Sequence, residues 1–255
     1  MSRPPDAQRP RVSLSLKNTA AVIFDMDGVI TDTAGVHRSA WKVMFDDYLS
    51  QVAHRTGRSH SPFEYVDYLR HVDGKSRADG ARSFLTSRGI ELPEGDEDDP
   101  PERETIWGLA NRKDLVLREV LGASGVKAFP SSVALVRQLQ DHGAGTAVIS
   151  TSRNCQAILE AAGIGDLFPV RVDGRECARL GLPGKPSPAV FLEAARRLGV
   201  DPSRAVIVED AQAGVRAGRA GNFGLVIGVD RGGQADQLLA EGADVVVADL
   251  AEVTF

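Results

Sequence analysis

The fold of this chain is decided by the stretch AAVIFDMDG at residues 20–28. Its first five residues are an uninterrupted apolar run, which is typical of a strand buried on both faces of a parallel sheet. The run ends on Asp25, followed by Asp27 and by Gly28, where a glycine lets the backbone bend tightly. We therefore expect a buried strand that presents two carboxylates at its carboxyl end.

Beyond this stretch, apolar runs alternate with amphipathic helical patterns. Later runs with the length and composition of buried strands lie at residues 146–149, 205–208, 225–229 and 244–247. Helices are predicted, several of them ending at a glycine, over residues 131–142, 155–162, 188–198, 211–220 and 234–240. This alternation predicts an α/β fold built on a doubly wound parallel sheet.

The alternation is interrupted between residues 34 and 124, which carry amphipathic stretches and no convincing strand. We interpret this segment as a mostly helical domain inserted after the first strand, so that residues 20–33 and 125–255 form the core. The basic, proline-rich residues 1–19 are expected to be a disordered tail. Within the insert, the acidic and proline-rich residues 92–101 are interpreted as a solvated loop rather than a regulatory segment.

The bulk composition excludes several classes of protein. A chain of 255 residues with 42% hydrophobic residues and a net charge of −5 is an ordinary globular protein and lacks the basic balance of a nucleic-acid binder. Cys155 and Cys177 form no CxxC pair and have no histidine at metal-ligand spacing, so neither a zinc site nor a disulfide framework is predicted, and a reducing cytoplasm is expected. We expect neither a signal peptide nor a membrane-spanning segment, because the start of the sequence has no apolar run and no run approaches the length of a membrane helix.

Polar and charged groups recur at the predicted strand ends, where open parallel sheets bind ligands. They are, in chain order, Asp25, Asp27, the segment Ser150-Thr151-Ser152-Arg153-Asn154, Lys185, Glu209 and Asp210. Converging carboxylates without a cation would repel one another, and a hard divalent ion such as Mg²⁺ relieves that repulsion. With Mg²⁺ and Lys185 nearby, a phosphoryl group can approach an anionic carboxylate. Asp25 is then the candidate nucleophile, and Asp27 the candidate acid/base with a raised pKa.

The order of these motifs resembles the four-motif signature of the haloacid dehalogenase superfamily: DxDG, a strand ending in serine, a lysine, and Glu-Asp. The run at residues 25–33, followed by His37 and Trp41, is similar to the β-phosphoglucomutase subfamily, and the resemblance extends from Ala20 onward. It implies that Ser150 and Lys185 hold the transferring phosphate. It also implies a set of metal ligands made of Asp25, the Asp27 carbonyl, Glu209 and Asp210.

The insert is similar to the helical cap of the subfamily. The resemblance implies that Arg77, in the loop at residues 71–77, grips the phosphate that is not transferred, for which a planar guanidinium is suited. The full set of implied substrate- and phosphate-binding residues is Thr33, His37, Trp41, Gly74, Ser76, Arg77, Lys113, Ser150, Ser152, Arg153, Asn154 and Lys185.

Three of these residues carry alternatives. His37 is assigned a substrate or hinge role, with an ordinary surface position as the alternative. Trp41 is interpreted as packing in the core of the cap rather than contacting a ligand. Lys113 either enters the active site or is a solvated surface lysine. The cap is also longer than in compact members around residues 50–62 and 92–104, which leaves room for a different substrate.

The resemblance implies an Mg²⁺-dependent phosphotransferase that interconverts β-glucose 1-phosphate and glucose 6-phosphate, with glucose 1,6-bisphosphate as intermediate and activator. The expected partner is a small sugar phosphate, without nucleic acid or membrane, and a monomer is favoured. A phosphatase on the same fold is the nearest alternative, and a non-catalytic phosphometabolite sensor is the third. A hydrolytic dehalogenase is disfavoured, because its chemistry has little use for Asp27 or for a magnesium cluster.

Overall fold

A computed structural model of the chain describes residues 11–15 and 17–255. The chain divides into two compact units, one comprising residues up to Thr31 together with residues 128–255 and the other Asp32–Lys127. The predicted insert, residues 34–124, lies within the second unit. No described helix combines the length and apolar character that crossing a bilayer requires.

All strands among the described residues lie in the first unit. They are, in chain order, β1 (Val12–Ser13), β2 (Ala21–Asp25), β3 (Gly145–Ile149), β4 (Val170–Val172), β5 (Ala205–Glu209), β6 (Leu225–Val229), β7 (Val245–Val247) and β8 (Val253–Thr254). Six of them form one parallel sheet in the order β4-β3-β2-β5-β6-β7. The predicted doubly wound α/β fold is confirmed, although β4 was not predicted.

The order in which the chain adds strands to the sheet reverses beside β2. From β2 the chain builds outward through β3 to β4, and it then returns to place β5 on the other side of β2. The register pairs Asp25 with Ile149 on one side and Phe24 with Val208 on the other. Ligand sites of open α/β sheets form at such a reversal, beyond the carboxyl ends of the strands. Asp25 and Glu209, the last residues of β2 and β5, are therefore placed at the switch point.

Helices cover the sheet of the first unit. They are α5 (Pro130–Asp141), α6 (Cys155–Ala161), α7 (Gly174–Leu180), α8 (Ala189–Leu198), α9 (Gln212–Ala220) and α10 (Ala235–Ala240), with short 3₁₀ turns at Pro202–Arg204 and Leu250–Glu252. Alternate residues of β2 such as Ile23 pack with Val190 and Phe191 of α8 in one buried apolar cluster. β2 is buried along its whole length. This burial explains why its sequence is continuously apolar rather than alternating.

The predicted disordered tail is corrected in part. Residues 1–10 and Leu16 lie outside the described residues. Val12 and Ser13, however, pair in parallel with Val253 and Thr254, so β1 and β8 form a separate two-stranded sheet. Leu14, just beyond β1, is buried at 5% exposure. The segment is ordered because it joins the carboxyl-terminal strand, a pairing between the two ends of the chain.

The second unit is helical. Its elements are α1 (Ala34–Thr56), α2 (Tyr65–Asp67) with the following π-helical turn Tyr68–Val72, α3 (Arg77–Ser87) and α4 (Ile106–Ser124). Its core is rich in aromatic rings: the Phe45 ring centroid lies 4.1 Å from that of Phe84 and 5.1 Å from that of Phe63. Contacts of this kind add about 0.5–1.5 kcal/mol per pair to the free energy of apolar burial.

The acidic segment 92–101 is not simply a solvated loop, which corrects the prediction. The side chain of Asp99 is buried, and its carboxylate accepts hydrogen bonds from Thr105 Oγ1 at 2.6 Å and from Arg103 Nη1 at 2.7 Å. The Asp96 backbone N–H donates to the same carboxylate at 3.1 Å. Three donors on one buried carboxylate fix the loop against the start of α4.

Candidate active site

Asp25, Lys185 and Glu209 meet at the switch point of the sheet. Lys185 Nζ lies 2.6 Å from Asp25 Oδ1 and 3.0 Å from Glu209 Oε1. All three side chains are buried, with 1% of the lysine side chain and none of the glutamate side chain exposed. A buried lysine between two buried carboxylates is held by direct pairing, because any of the three alone would carry a large desolvation cost.

Asp210 joins this group and completes a cluster of acceptor oxygens. One carboxylate oxygen each from Asp25, Glu209 and Asp210 lies within 4.8 Å of the others, and all three residues are buried. Three hard oxygen donors at this spacing are a suitable ligand set for Mg²⁺. The carboxylate of Asp27 is not part of this cluster.

Two glycines make the close approach of the carboxylates possible. Gly28 has φ of +84°, and a Cβ atom there would lie 1.8 Å from Asp210 Oδ2. A Cβ atom at Gly214 in α9 would lie 1.7 Å from Glu209 Oε1. Any other residue at either position would displace a carboxylate of the cluster. The geometry of the acidic cluster therefore depends on both glycines.

The electrostatics of the cluster favour a cation. Burial raises the pKa of Asp25 to about 6, with the charge of Asp27 adding to the rise and Lys185 opposing it. Although burial alone would lower the pKa of Lys185, Asp25 and Glu209 together raise it above its ordinary value. Lys185 is therefore held in its charged form, and Asp25 keeps its proton to a higher pH than an ordinary aspartate. A divalent ion would favour the ionised form of Asp25, so the donor set and its charges fit Mg²⁺.

Asp27 is linked to the loop that follows β3. Ser150 Oγ donates to Asp27 Oδ2 at 3.2 Å and accepts from the Ser152 backbone N–H at 3.0 Å. The next hydroxyl along, Ser152 Oγ, accepts from the Asn154 backbone N–H at 3.1 Å. The structure therefore brings Asp27 and Ser150 together, and it folds the segment containing Arg153 into a turn whose hydroxyls cap its own backbone.

The first residues of α7 pack directly against the turn that follows β3, a feature that the sequence analysis missed. The Gly174 backbone N–H donates to Ser152 O at 3.1 Å, and a Cβ atom at Gly174 would lie 2.6 Å from Thr151 O. Arg175 Nε donates to Arg153 O at 3.1 Å. A glycine at the start of α7 was not a signal in itself, because the contact it permits is with a segment more than twenty residues earlier in the chain.

Residues of the second unit form two further groups. In the first, Lys113 Nζ donates to His37 Nδ1 at 3.1 Å and lies 5.3 Å from the centroid of the Trp41 ring. Lys113 is buried at 4% exposure, so the solvated alternative for this lysine is wrong. Burial, and then the charge of Lys113, lowers the pKa of His37 well below its ordinary value. Trp41 is buried and stacks on Phe45 with ring centroids 5.0 Å apart, which agrees with its interpretation as core.

The second group contains Arg77, the first residue of α3. Arg77 Nη2 donates to Asn111 Oδ1 at 3.0 Å, and its guanidinium carbon lies 5.4 Å from the centroid of the Trp107 ring. Ser76 caps α3, since its Oγ accepts from the Asp79 backbone N–H at 3.2 Å.

Two other predicted residues lie in the second unit, and a backbone hydrogen bond joins one of them, Thr33, to His37. Gly74 has φ of +71° in the turn before α3. Thr33 is the buried residue immediately before α1, and its carbonyl accepts from the His37 backbone N–H at 2.9 Å.

Arg231 is a second residue that sequence reasoning did not find. It follows β6, and its Nε donates at 2.9 Å to the carbonyl of Gly28, 203 positions earlier. The guanidinium carbon lies 3.8 Å from the centroid of the Phe129 ring, and the Phe129 backbone N–H donates to Ile30 O at 2.9 Å. Arg231 therefore holds the turn that carries Asp27, and nothing local in the sequence marks it.

Comparison with known proteins places the chain in a family. The family model described as haloacid dehalogenase-like hydrolase matches residues 19–222. A β-phosphoglucomutase of Mycobacterium tuberculosis is 47% identical over 249 residues, covering 96% of this chain and 95% of the relative. A trehalose-phosphate phosphatase of Mycobacterium leprae is 48% identical over 127 residues, covering 48% of this chain and 28% of the relative.

A solved structure shows the same fold. The crystal structure of a β-phosphoglucomutase from Clostridium difficile has a TM-score of 0.70 at 25% identity, covering 93% of this chain and 94% of that one. Together with the family match, these similarities identify an enzyme that transfers or hydrolyses phosphate, which sets aside the non-catalytic sensor. The chain belongs to the haloacid dehalogenase-like hydrolase family.

Proposed function

We propose that this enzyme is a Mg²⁺-dependent phosphotransferase that works through an aspartyl-phosphate on Asp25, and that its reaction is that of a β-phosphoglucomutase. The observation that carries the proposal is the buried Asp25–Lys185–Glu209 arrangement with Asp210, at the switch point of the sheet. The 47% identity to a mycobacterial β-phosphoglucomutase over nearly the whole chain supports the choice of reaction.

In the proposed first half-reaction, a carboxylate oxygen of Asp25 attacks the phosphorus atom of the donor. An O–P bond to Asp25 forms while the bond from phosphorus to the leaving oxygen breaks. Asp27 gives its proton to that leaving oxygen and later removes one from the acceptor hydroxyl. The carboxylate of Asp27 lies outside the acidic cluster and accepts a hydrogen bond from Ser150. This arrangement supports separate roles for the two aspartates.

Positive charge near the transferring group is the second requirement. Lys185 remains protonated between its two carboxylates, and with Ser150 it is proposed to hold the phosphoryl oxygens. When bound by Asp25, Glu209 and Asp210, Mg²⁺ would neutralise carboxylate charge and stabilise the negative charge of the transferring phosphoryl group. The Asp27 carbonyl is proposed as a further ligand.

A mutase needs a second phosphate-binding group, because its bisphosphate intermediate must bind in either orientation. Arg77 is proposed to bind the phosphate that is not being transferred, with Ser152, Arg153 and Asn154 as further phosphate contacts. Phosphorylated Asp25 would donate to β-glucose 1-phosphate, giving glucose 1,6-bisphosphate, and would recover the other phosphate to release glucose 6-phosphate. The phosphoryl balance is closed in each cycle, so the bisphosphate is needed only in catalytic amounts.

A phosphatase remains the second candidate, since both reactions use the same Asp25 chemistry and differ in whether water or a sugar hydroxyl takes the phosphoryl group. The match of about half of this chain to a trehalose-phosphate phosphatase favours it. The coverage decides our preference: the β-phosphoglucomutase match spans 96% of the chain and therefore includes the helical unit, whereas the phosphatase match spans 48%.

Phosphorus NMR distinguishes the two reactions. The protein would be incubated with Mg²⁺, β-glucose 1-phosphate and a trace of glucose 1,6-bisphosphate, with Asp25→Ala as the control. We expect glucose 6-phosphate to appear much faster than inorganic phosphate, and only when Asp25 is present. Predominant release of inorganic phosphate would instead identify a phosphatase. The absence of both products would reject glucose phosphates as substrates.

A further inference from the structure

The guanidinium of Arg77 is linked by hydrogen bonds through Asn111 to the acidic loop of the helical unit, which has no role in the proposed reaction. Its Nη2 atom donates to Asn111 Oδ1 at 3.0 Å. Asn111 Nδ2 in turn donates to two main-chain carbonyls of the acidic loop, Glu97 O at 3.0 Å and Asp99 O at 2.8 Å. A flipped amide would break all three contacts, because its NH₂ group would face the arginine. Asn111 therefore has one orientation and joins Arg77 to the loop.

Further contacts fix the acidic loop, and with it the two carbonyls that Asn111 contacts. The loop covers the start of α4, where the Ile106 and Trp107 backbone N–H groups donate to Pro93 O at 3.0 Å and to Glu94 O at 3.2 Å. These are amide donors that a helix start leaves without intrahelical partners. The buried carboxylate of Asp99 then fixes the middle of the loop through Thr105 Oγ1 and Arg103 Nη1.

The loop also packs tightly around Asp99. A Cβ atom at Gly95, where φ is +74°, would lie 2.1 Å from Asp99 Oδ2 and 2.6 Å from Thr105 Oγ1. The close packing leaves the two carbonyls that face Asn111 little freedom to move. The guanidinium of Arg77 is further restrained on one face by the Trp107 ring, whose centroid lies 5.4 Å from its Cζ atom.

We propose that residues 93–105 and Asn111 form a support that positions Arg77 for the phosphate that is not transferred, so that Asn111 is a positioning residue for substrate affinity. The proposal rests on the proposed function of Arg77. An arginine already held in one conformation loses less side-chain entropy when it binds phosphate, and its planar fork then meets two phosphate oxygens in a fixed direction. The support gives a reason for the added length of chain around residues 92–104.

Binding of glucose 1,6-bisphosphate tests the support when it is measured by isothermal titration calorimetry in EDTA, so that no phosphoryl transfer accompanies it. KM and kcat for β-glucose 1-phosphate are measured in parallel with Mg²⁺. For Asn111→Ala we expect Kd and KM to rise about tenfold or more, the scale of one hydrogen bond to a charged group. kcat should change much less, since the lost contact acts on binding in the ground state and the transition state alike. A general loss of folding would lower the active fraction and kcat instead.

Two neighbouring carboxylates of the loop provide a matched pair of further variants. Asp99→Asn removes the buried charge that organises the loop without changing Asn111, and it should raise Kd and KM in the same direction. Asp98→Asn makes the same chemical change at an exposed position and should leave both constants as in the wild type. Far-UV circular dichroism would establish that each variant is folded before it is titrated.

The outcomes separate the two proposals. If the wild type binds the bisphosphate and Asn111→Ala binds it equally well, the support is refuted while the proposed function stands. Equal effects of Asp98→Asn and Asp99→Asn would also refute it, because the buried contacts would then be irrelevant. If the wild type does not bind the bisphosphate at all, the proposed function of Arg77 fails and the support fails with it.

Discussion

Replacing Lys185 by methionine should strongly destabilise the metal-free protein. The side chain of Lys185 is 1% exposed and pairs at 2.6 Å with Asp25 and at 3.0 Å with Glu209, whose side chains are 9% and 0% exposed. Methionine has a similar length and no charge, so two buried carboxylates would be left without their cation. Removing one partner of a buried ion pair costs about 3–5 kcal/mol, a large part of the 5–15 kcal/mol typical of a whole domain.

The loss should also depend on pH. Burial already raises the pKa of Asp25 to about 6 in the wild type, and without Lys185 that pKa would rise further. Between the ordinary carboxyl pKa and this raised value, the folded protein binds more protons than the unfolded chain, so stability falls as pH rises through that window. The difference between Lys185→Met and the wild type should therefore be greater at about pH 7 than at about pH 5, where protonation removes one of the buried charges.

Urea unfolding followed by circular dichroism, in the presence of EDTA, would measure both effects. Lys42→Met is the matched control, since Lys42 also pairs with two carboxylates, Asp46 at 2.9 Å and Glu64 at 3.8 Å, but its side chain is 48% exposed. Exposed pairs contribute at most about 1 kcal/mol. The reasoning is refuted if both variants lose the same free energy at about pH 7, or if the Lys185→Met loss is the same at both pH values.

Two further results are expected at the acidic cluster. Gly28→Ala would place Cβ 1.8 Å from Asp210 Oδ2 and should lower kcat about 100-fold, because it displaces that carboxylate. Gly163→Ala is the control: Gly163 has a similar positive φ but no neighbour within 4 Å of a Cβ atom, so kcat should be unchanged. The pKa of Asp25 is about 6, so the proton competes with Mg²⁺ below about pH 6. Calorimetry should then show the Mg²⁺ dissociation constant rising about tenfold for each pH unit below about 6. A constant that does not depend on pH would exclude Asp25 as a ligand that must lose a proton.

Much of the fold and of the central site could be predicted because their signals are local. The buried strands are short apolar runs, and each candidate site residue of the first unit follows one of them or precedes a predicted helix. Once the sheet is known to be parallel, the carboxyl ends of β2 and β5 must meet, which brings Asp25 and Glu209 together. Lys185 was found in the same way, through its position before α8.

The features that were missed depend on contacts between distant segments. Arg231 binds the carbonyl of Gly28 from 203 positions away, and neither residue is unusual in its own neighbourhood. The short α7 has no buried residue, so it lacks the apolar periodicity by which the other helices were recognised. Its importance comes from packing on the turn after β3, which no local pattern reveals.

Charge alone was misleading in the helical unit. The segment 92–101 is acidic and proline-rich, which usually indicates a solvated loop, yet Asp99 is buried because Thr105 and Arg103 supply donors to it. Lys113 was left between entering the active site and being a solvated surface lysine. Its burial follows from the partners His37 and Trp41, far away in the sequence. A charged residue is buried only where partners exist, and those partners become visible only in the fold.

The location of the transferred phosphoryl group tests the central claim most directly. The wild type and Asp25→Asn would be mixed with Mg²⁺ and glucose 1,6-bisphosphate, quenched in acid, digested with pepsin and mapped by mass spectrometry. The account predicts that the phosphoryl group is on the peptide at Asp25 in the wild type and is absent from Asp25→Asn. A phosphoryl group on any other residue would contradict it. So would a wild type that turns over substrate without a phosphorylated peptide, if Asp25→Asn turns over substrate equally fast.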